Sequence, residues 1–258
     1  MSTSPSFSAL VEIMARLRAP QGCPWDREQT HQSLRQYLLE ETYEVLETID
    51  LEKYGDLRQE LGDLLLQVIF HAQIAAEQKR FTIDDVIAAI SDKLIRRHPH
   101  VFGEEKVNSA AEQSVRWEKI KKAEGKDSVL DGVPATLPAL QRAQRLQQKA
   151  GAIGFEWETL AQVKQKFQSE LAELEEARHS GDDKKIMDEF GDVLFALVNI
   201  GRWLNLSAED ALRQACEKFS RRFRFVEARA KASGAETNTM SLAQWEALWQ
   251  EAKAQTPD

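Results

Sequence analysis

Cysteine is scarce in this chain, and long apolar runs are absent from it. Cys23 and Cys216 are the only cysteines among 258 residues, too few for a disulfide framework or a thiolate metal site. No apolar run approaches the ~20 residues that cross a bilayer, and the N-terminus lacks the basic stretch and apolar core of a signal peptide. These absences exclude a disulfide-stapled secreted protein and a membrane-spanning protein, and they predict a cytoplasmic one.

Positive charge is also in deficit. The chain has 34 lysines and arginines against 42 aspartates and glutamates, and its formal net charge is -8. General binding to nucleic acid usually needs a basic face, so we expect no nucleic acid among the partners. The five histidines show no metal-ligand spacing, and we assign them no chemistry.

Apolar residues recur at three- and four-residue spacing along most of the chain. This helical period runs through "FSALVEIMARLR", "LRQELGDLLLQVIFHAQIA" and "IDDVIAAISDKLIRR", and no segment alternates with period two for long. Thr82 with Asp85, and Ser207 with Asp210, have the spacing of helix N-terminal caps. The sequence therefore predicts an all-α fold.

The chain also repeats itself. Four acidic positions of the first half meet four acids of the second at a constant offset of 129, and Thr82 meets Ser207 at an offset of 125. The stretch 124–137 collects glycine and proline without periodicity and is the best linker. We therefore predict two tandem four-helix-bundle modules related by internal duplication, at 7–123 and 138–254, joined by the linker 124–137.

The repeated acids lie in pairs three residues apart, so each pair shares one face of its helix and borders the apolar stripe. For one pair alone, a solvated helix face is the more common explanation. Two antiparallel helices would bring four carboxylates together at a high cost in repulsion and desolvation. A hard cation, Mg²⁺ or Mn²⁺, would compensate. The predicted metal ligands are Glu170, Glu173, Glu189 and Asp192, and a second copy of the site comprises Glu41, Glu44, Glu60 and Asp63.

Basic and aromatic residues accompany the acids of the second half. Lys185 lies one turn before Glu189, and with Lys218 and Arg222 it is a candidate phosphate ligand, although an exposed basic turn explains the latter two equally well. Trp249 offers an aromatic face for a base, and Lys121, its counterpart in the first half, is also a candidate substrate ligand. The tryptophans at positions 25, 117, 157 and 245 are predicted to pack in the core or between helices.

Several stretches resemble the signatures of MazG, a family of two-domain nucleoside triphosphate pyrophosphohydrolases. They include "GCPWDREQTHQSL", "LLEETYEVLE", "LRQELGDLLLQVIFHA" and "LDGVPATLPAL", and the match covers nearly the whole chain. In that family the acids of E-E-x-x-E and a later E-x-x-D hold Mg²⁺. The first half has this pattern complete, whereas the second has Ser169 at the place of Glu40.

The resemblance implies an enzyme that hydrolyses a nucleoside triphosphate to the monophosphate and pyrophosphate, with Mg²⁺ at the acids, in cleaning or regulating the nucleotide pool. It also implies a homodimer, as do apolar helix faces such as "DLLLQVIFHAQIA" that one copy leaves uncovered. No polar set for reading a base edge is evident, so we expect broad base specificity.

Alternatives remain. One is a narrower pyrophosphatase of the same helical superfamily, of the phosphoribosyl-ATP or dUTP/dCTP type. Another is a helical interaction module whose acids only bind a cation or a basic partner. Between the two copies, Lys184 and Lys185 beside the acids, together with Trp249, favour the C-terminal half as the main catalytic one.

Overall fold

The computed structural model describes residues 6–104, 109, 113, 116–117, 127–233 and 240–255. Over these ranges the chain forms helices joined by turns and short loops, with no strand, so the all-α prediction is confirmed. The first helices are α1 (Phe7–Arg18), α2 (Pro24–Glu28), α3 (Arg35–Asp50), α4 (Tyr54–Glu77), α5 (Ile83–Arg97) and α6 (Pro99–Phe102). They are followed by α7 (Ala139–Gly151), α8 (Leu160–Ser180), α9 (Asp183–Trp203), α10 (Ala208–Ala232) and α11 (Leu242–Gln255).

The chain divides into two compact units, Met1–Lys106 and Val107–Asp258. The described part of the predicted linker belongs to the second unit, where the buried Lys149 ammonium donates to the carbonyl oxygens of Val129 and Asp131, at 2.9 and 3.3 Å. The exact bounds of the two modules stay a prediction. None of the described helices is long and apolar enough to cross a membrane.

The same helices recur in the two units. Shifting Tyr54, the first residue of α4, by 129 positions gives Asp183, the first residue of α9. Shifting Ile83, the first residue of α5, by 125 positions gives Ala208, the first residue of α10. The helices α3 and α4 pack on one another in the first unit, as α8 and α9 do in the second. The tandem all-α modules predicted from the repeat are therefore present.

Local chemistry sets where the helices begin and end. Thr82 caps α5 by accepting from the Asp85 amide at 3.3 Å, and the Asp85 carboxylate accepts from the Thr82 amide at 2.7 Å. Helix α5 ends at Arg97 because the residue before a proline, here His98, is disfavoured in the helical region. The second copy has no proline at the place of Pro99, and α10 continues to Ala232.

Short connections make the paired helices antiparallel neighbours. Between α8 and α9 lie only Gly181, in the left-handed region with φ of 70°, and Asp182. Glycine adopts this conformation without the steric cost that a Cβ imposes. The Asp182 carboxylate then accepts from the amides of Lys184 and Lys185 at 3.0 and 3.3 Å, which caps α9.

The core of the first unit forms where α1 and the C-terminal half of α4 meet. Met14, Ile69 and Phe70 are at most 2% exposed there. Arg18 extends this core, since its guanidinium lies 5.4 Å from the centre of the Phe70 ring and pairs with Glu77 at 2.7 Å. One end of α4 is thereby fixed in the core, which leaves its N-terminal half to carry the acids.

Two half-buried histidines of the first unit meet edge to edge with their ring planes parallel. The ring centroids of His31 and His71 are 5.1 Å apart and their Nδ1 atoms 2.8 Å apart. At that distance one nitrogen donates and the other accepts, so the pair accommodates one proton between the two Nδ1 atoms. Burial, together with the charge of His31, lowers the pKa of His71.

We expect the first unit to lose stability as the pH falls through the histidine range. Because the folded-state pKa of His71 lies below its ordinary value of 6.5, the unfolded chain takes up the proton first. The stability is therefore complete above that value and is lost as the pH falls towards the folded pKa. Thermal unfolding followed by circular dichroism measures this. His71→Gln should flatten the profile, with the exposed His179→Gln as control, and an unchanged slope in His71→Gln would contradict the expectation.

Candidate active site

The two central helices of the second unit bring the predicted acids together. Glu170 and Glu173 lie on α8, and Glu189 and Asp192 lie on α9. One carboxylate oxygen from each of Glu170, Glu173 and Glu189 lies within 4.8 Å of the others. Asp192 is outside that group of three but near enough for its charge to raise the pKa of Glu189. We call these four residues the C-terminal cluster.

Burial and mutual repulsion act on this cluster. Glu170 is only 6% exposed. Burial raises the pKa of Glu189, and the neighbouring charges of Glu173, Asp192 and Glu170 add to the rise. The cation of Lys185 opposes the rise, and the role of Lys185 as a phosphate ligand stays a prediction. The cluster therefore holds several negative charges whose energy a cation would lower.

Two residues of α8 that the sequence analysis did not place in the site also contact these acids. The Lys166 ammonium forms an ion pair with Glu170 one turn later. The Ser169 hydroxyl, at the place where the first half has Glu40, donates to Glu173 at 2.9 Å. Both contacts follow from i, i+4 spacing, which was readable in the sequence. The serine thus orients a predicted metal ligand.

The first unit contains an equivalent cluster of acids, but different residues surround it. Oxygens of Glu41, Glu60 and Asp63 lie within 4.8 Å of one another. Burial raises the pKa of both glutamates, and Glu44, the fourth predicted acid, adds to the rise through its charge and a hydrogen bond to Glu60. We call these four acids the N-terminal cluster. They line a recess in which Lys53 is the only basic residue among the described lining residues.

Both clusters fit a hard divalent cation. Each offers carboxylate oxygens on facing helices, and neither group of three contains a histidine or a cysteine. Oxygen-only ligands suit Mg²⁺ and Mn²⁺, whereas zinc prefers nitrogen and sulfur. The donor set therefore agrees with the cation predicted from the sequence.

A cavity of about 400 Å³ lies beside the C-terminal cluster. Glu170 and Asp192 form part of its wall, so the cavity opens directly onto the acids. The rest of the lining is mainly apolar, and the aromatic rings come from Phe155, Trp157 and Phe195. Its size lies within the range of pockets for small ligands. The second unit therefore joins an apolar cavity to a cluster of acids that could hold a metal ion.

A small polar set borders this cavity. Arg202 pairs with Glu156 through two contacts of 2.6 and 2.8 Å. Burial raises the pKa of the Glu156 carboxyl, but hydrogen bonds from Arg202 and the Trp157 amide outweigh it and hold the pKa below its usual value. Gln147, 8% exposed, donates through Nε2 to the Phe195 carbonyl at 2.8 Å, and its Oε1 has no hydrogen-bond partner in the described structure.

The remaining predicted ligands lie elsewhere in the second unit. Lys218 and Arg222 are half-buried, one turn apart on α10, and do not line the cavity. Trp249 of α11 packs against Phe219 with the ring centroids 5.3 Å apart, also away from the cavity lining. Their roles as phosphate ligands and as a base-stacking residue stay predictions. Lys121 lies outside the described residues.

Sequence reasoning missed the aromatic wall of the cavity. It assigned Trp157 to core or helix packing, yet this side chain is 42% exposed and lines the cavity beside Phe155. The stretch "GFEWE" precedes α8 and has no helical period. The sequence signal that could have indicated this wall was a pair of aromatic residues in a non-periodic stretch next to a glycine.

Comparison with known proteins agrees with this geometry. The MazG nucleotide pyrophosphohydrolase domain matches residues 29–102 and again 158–226. A protein of Escherichia coli K12 named nucleoside triphosphate pyrophosphohydrolase is 49% identical over 256 residues, covering 96% of this chain and 97% of its own length. A Thermotoga maritima protein, named nucleoside triphosphate pyrophosphohydrolase/pyrophosphatase MazG, is 44% identical over 250 residues, with 96% and 95% covered. With both halves matched and relatives aligned over nearly their whole length, the chain belongs to the MazG nucleotide pyrophosphohydrolase family.

Proposed function

We propose that this protein hydrolyses nucleoside triphosphates to the monophosphate and pyrophosphate, and that the second unit performs the reaction. The observation that carries the proposal is the apolar cavity that opens onto Glu170 and Asp192. A nucleoside triphosphate has an apolar base at one end and a metal-binding polyphosphate at the other, which matches this juxtaposition. The relatives from E. coli and T. maritima bear the name of this activity. Because nucleoside triphosphates are cytoplasmic metabolites, we place the activity in the cytoplasm.

The carboxylates of the C-terminal cluster would hold Mg²⁺, or Mn²⁺ in its place. When bound, the cation would offset charge on the phosphates and lower the pKa of a water. A glutamate of the cluster would accept the proton of the attacking water. Lys185 would bind the phosphates beside Glu189, with Lys218 and Arg222 as further candidates.

The cavity would bind the nucleoside. Phe155 and Trp157 offer aromatic faces on which a base can stack. Such a contact is worth about 1–3 kcal/mol per base and is available to every base, because each has an aromatic face. The unpartnered Gln147 Oε1 is buried at the wall and would favour a base that presents an N–H group. One such acceptor in a mainly apolar lining gives modest discrimination, so we propose broad base specificity.

A nucleotide panel tests the function and its breadth together. Purified protein with Mg²⁺ and ATP, GTP, CTP, UTP or the deoxynucleotides should release pyrophosphate from several of them. A preference above roughly a thousandfold for one base, ~4 kcal/mol in transition-state binding, would instead support a narrower pyrophosphatase of the dUTP/dCTP type. No pyrophosphate from any of these substrates would leave a pyrophosphatase of the phosphoribosyl-ATP type or the cation-binding interaction module.

We also propose that the protein is a homodimer. An apolar stripe on α9, formed by Met187, Phe190, Leu194 and Leu197, is between 38% and 72% exposed. These residues recur at three- and four-residue spacing, which is the pattern of a helix that packs on a further helix. A second copy of the chain would cover this stripe.

Light scattering at micromolar concentration should give twice the mass of the chain. Leu197→Glu places a charge in the stripe and should shift the protein towards the monomer, because burying an unpaired carboxylate is costly. Glu217→Lys, a charge change on an exposed residue of α10, is the control. A wild-type protein that remains monomeric would refute the dimer.

A further inference from the structure

Lys166 lies at the edge of the C-terminal cluster. Its ammonium pairs with Oε1 of Glu170, whose side chain is only 7% exposed, while the lysine side chain is 45% exposed. Glu170 is also one of the three residues whose oxygens converge within 4.8 Å. A divalent cation bound by these three residues would therefore compete with the ammonium for the Glu170 carboxylate.

The lysine interacts with more of the cluster than this one acid. Its pKa is raised first by the hydrogen bond to Glu170, against burial, and then by the charges of Glu170, Glu173 and Asp192. These acids lie on both α8 and α9. The ammonium is thus placed by its ion pair with Glu170 next to the acids that would hold a metal ion.

The N-terminal cluster lacks this cation. Shifting Lys166 back by 129 positions gives Tyr37, whose ring packs edge-on against Trp25 with centroids 5.8 Å apart. The only basic residue described in that recess, Lys53, comes from the turn before α4 and is exposed. The two clusters share their acids but differ in whether a cation of the protein itself neutralises them.

We propose that Lys166 is a resident counter-ion of the C-terminal cluster, which a divalent cation must displace from Glu170. Without nucleotide, the C-terminal cluster therefore binds a divalent cation more weakly than the N-terminal cluster does. Given the proposed function, a triphosphate supplies the displaced ammonium with a new anionic partner, so that metal and nucleotide bind the C-terminal cluster together. Lys166 is a positioning residue in this scheme, because it acts on the metal site.

Titration of the full chain with Mn²⁺ alone, by calorimetry or electron paramagnetic resonance, tests the proposal. The double substitution Glu60→Gln and Asp63→Asn silences the N-terminal cluster, which leaves the C-terminal cluster to be measured. In that background Lys166→Met should tighten Mn²⁺ binding by on the order of tenfold, as expected for the loss of a competing, partly exposed charge. Lys164→Met, on the same helix and exposed, should leave the affinity unchanged.

Lys166→Arg keeps the charge and should retain weak binding, which separates the loss of the cation from a general disturbance of α8. Helical content by circular dichroism shows whether each variant folds. Unchanged or weaker Mn²⁺ binding in a folded Lys166→Met variant overturns the proposal. The titration does not depend on turnover. Tighter Mn²⁺ binding in Lys166→Met, combined with no pyrophosphate release by the wild-type protein, would refute the proposed function and still support Lys166 as a counter-ion.

Discussion

Replacing Glu189 by alanine is expected to abolish pyrophosphate release, whereas replacing Glu60 by alanine should leave most of it. The two residues occupy equivalent positions, three residues before Asp192 and Asp63 respectively. Loss of a metal ligand that helps to stabilise charge in the transition state should lower kcat by about a thousandfold or more, ~4 kcal/mol. Steady-state pyrophosphate release from ATP, with circular dichroism to confirm folding, measures both variants.

The asymmetry follows from what surrounds each cluster. The C-terminal cluster borders the cavity with Phe155 and Trp157 and has Lys185 beside it. The N-terminal cluster lines a recess rich in carboxylates, where a triphosphate would meet negative charge on most sides and where Lys53 is the one lysine among the described lining residues. Against this, the first half has the complete E-E-x-x-E motif. Loss of activity in Glu60→Ala, with retention in Glu189→Ala, would move the active site to the first unit.

The helical fold was predictable because its determinants are local. Apolar periodicity and the Thr82 and Ser207 caps predict the helices, and the repeat predicts equivalent helices in the two halves, of which those that begin at Tyr54 and Asp183 are one pair. The boundary between the two units was harder to predict from the sequence. Residues from 127 onward are held in the second unit by contacts such as that of Lys149 with Val129, which lie 20 positions apart in the chain.

The acids of the site were predictable for the same reason, and the cavity was not. Residues three apart on a helix share a face whatever the tertiary structure, so Glu170 and Glu173 could be paired from their spacing. The cavity wall joins Leu130, Phe155 and Phe195 from three separated parts of the chain. No periodic pattern connects them. Lys166 was overlooked because a lysine four residues from a glutamate is common on solvated helices.

Removal of divalent cations, or of one cluster ligand, should have an equally large effect. Glu173 is exposed and accepts a hydrogen bond from the Ser169 hydroxyl at 2.9 Å, so it contributes little to packing. We therefore expect Glu173→Ala to remain folded with pyrophosphate release reduced by about a thousandfold. Chelation of the metal in the wild-type protein should have the same effect, because the uncompensated carboxylates repel the triphosphate. Both losses are measured as pyrophosphate release from ATP.

Glu176→Ala provides the matched control. Glu176 lies on the same helix, α8, three residues after Glu173, and is also exposed to solvent. It is not among the converging acids. Its replacement removes the same charge and the same side-chain length but should leave turnover near the wild-type rate. Addition of Mg²⁺ or Mn²⁺ should restore the chelated wild-type enzyme and should not restore Glu173→Ala at the same metal concentration. Phosphoryl transfer depends on charge stabilisation by the metal, so removal of a carboxylate that binds the metal must weaken catalysis. Near-normal activity of Glu173→Ala in Mg²⁺ would therefore show that other residues hold the metal.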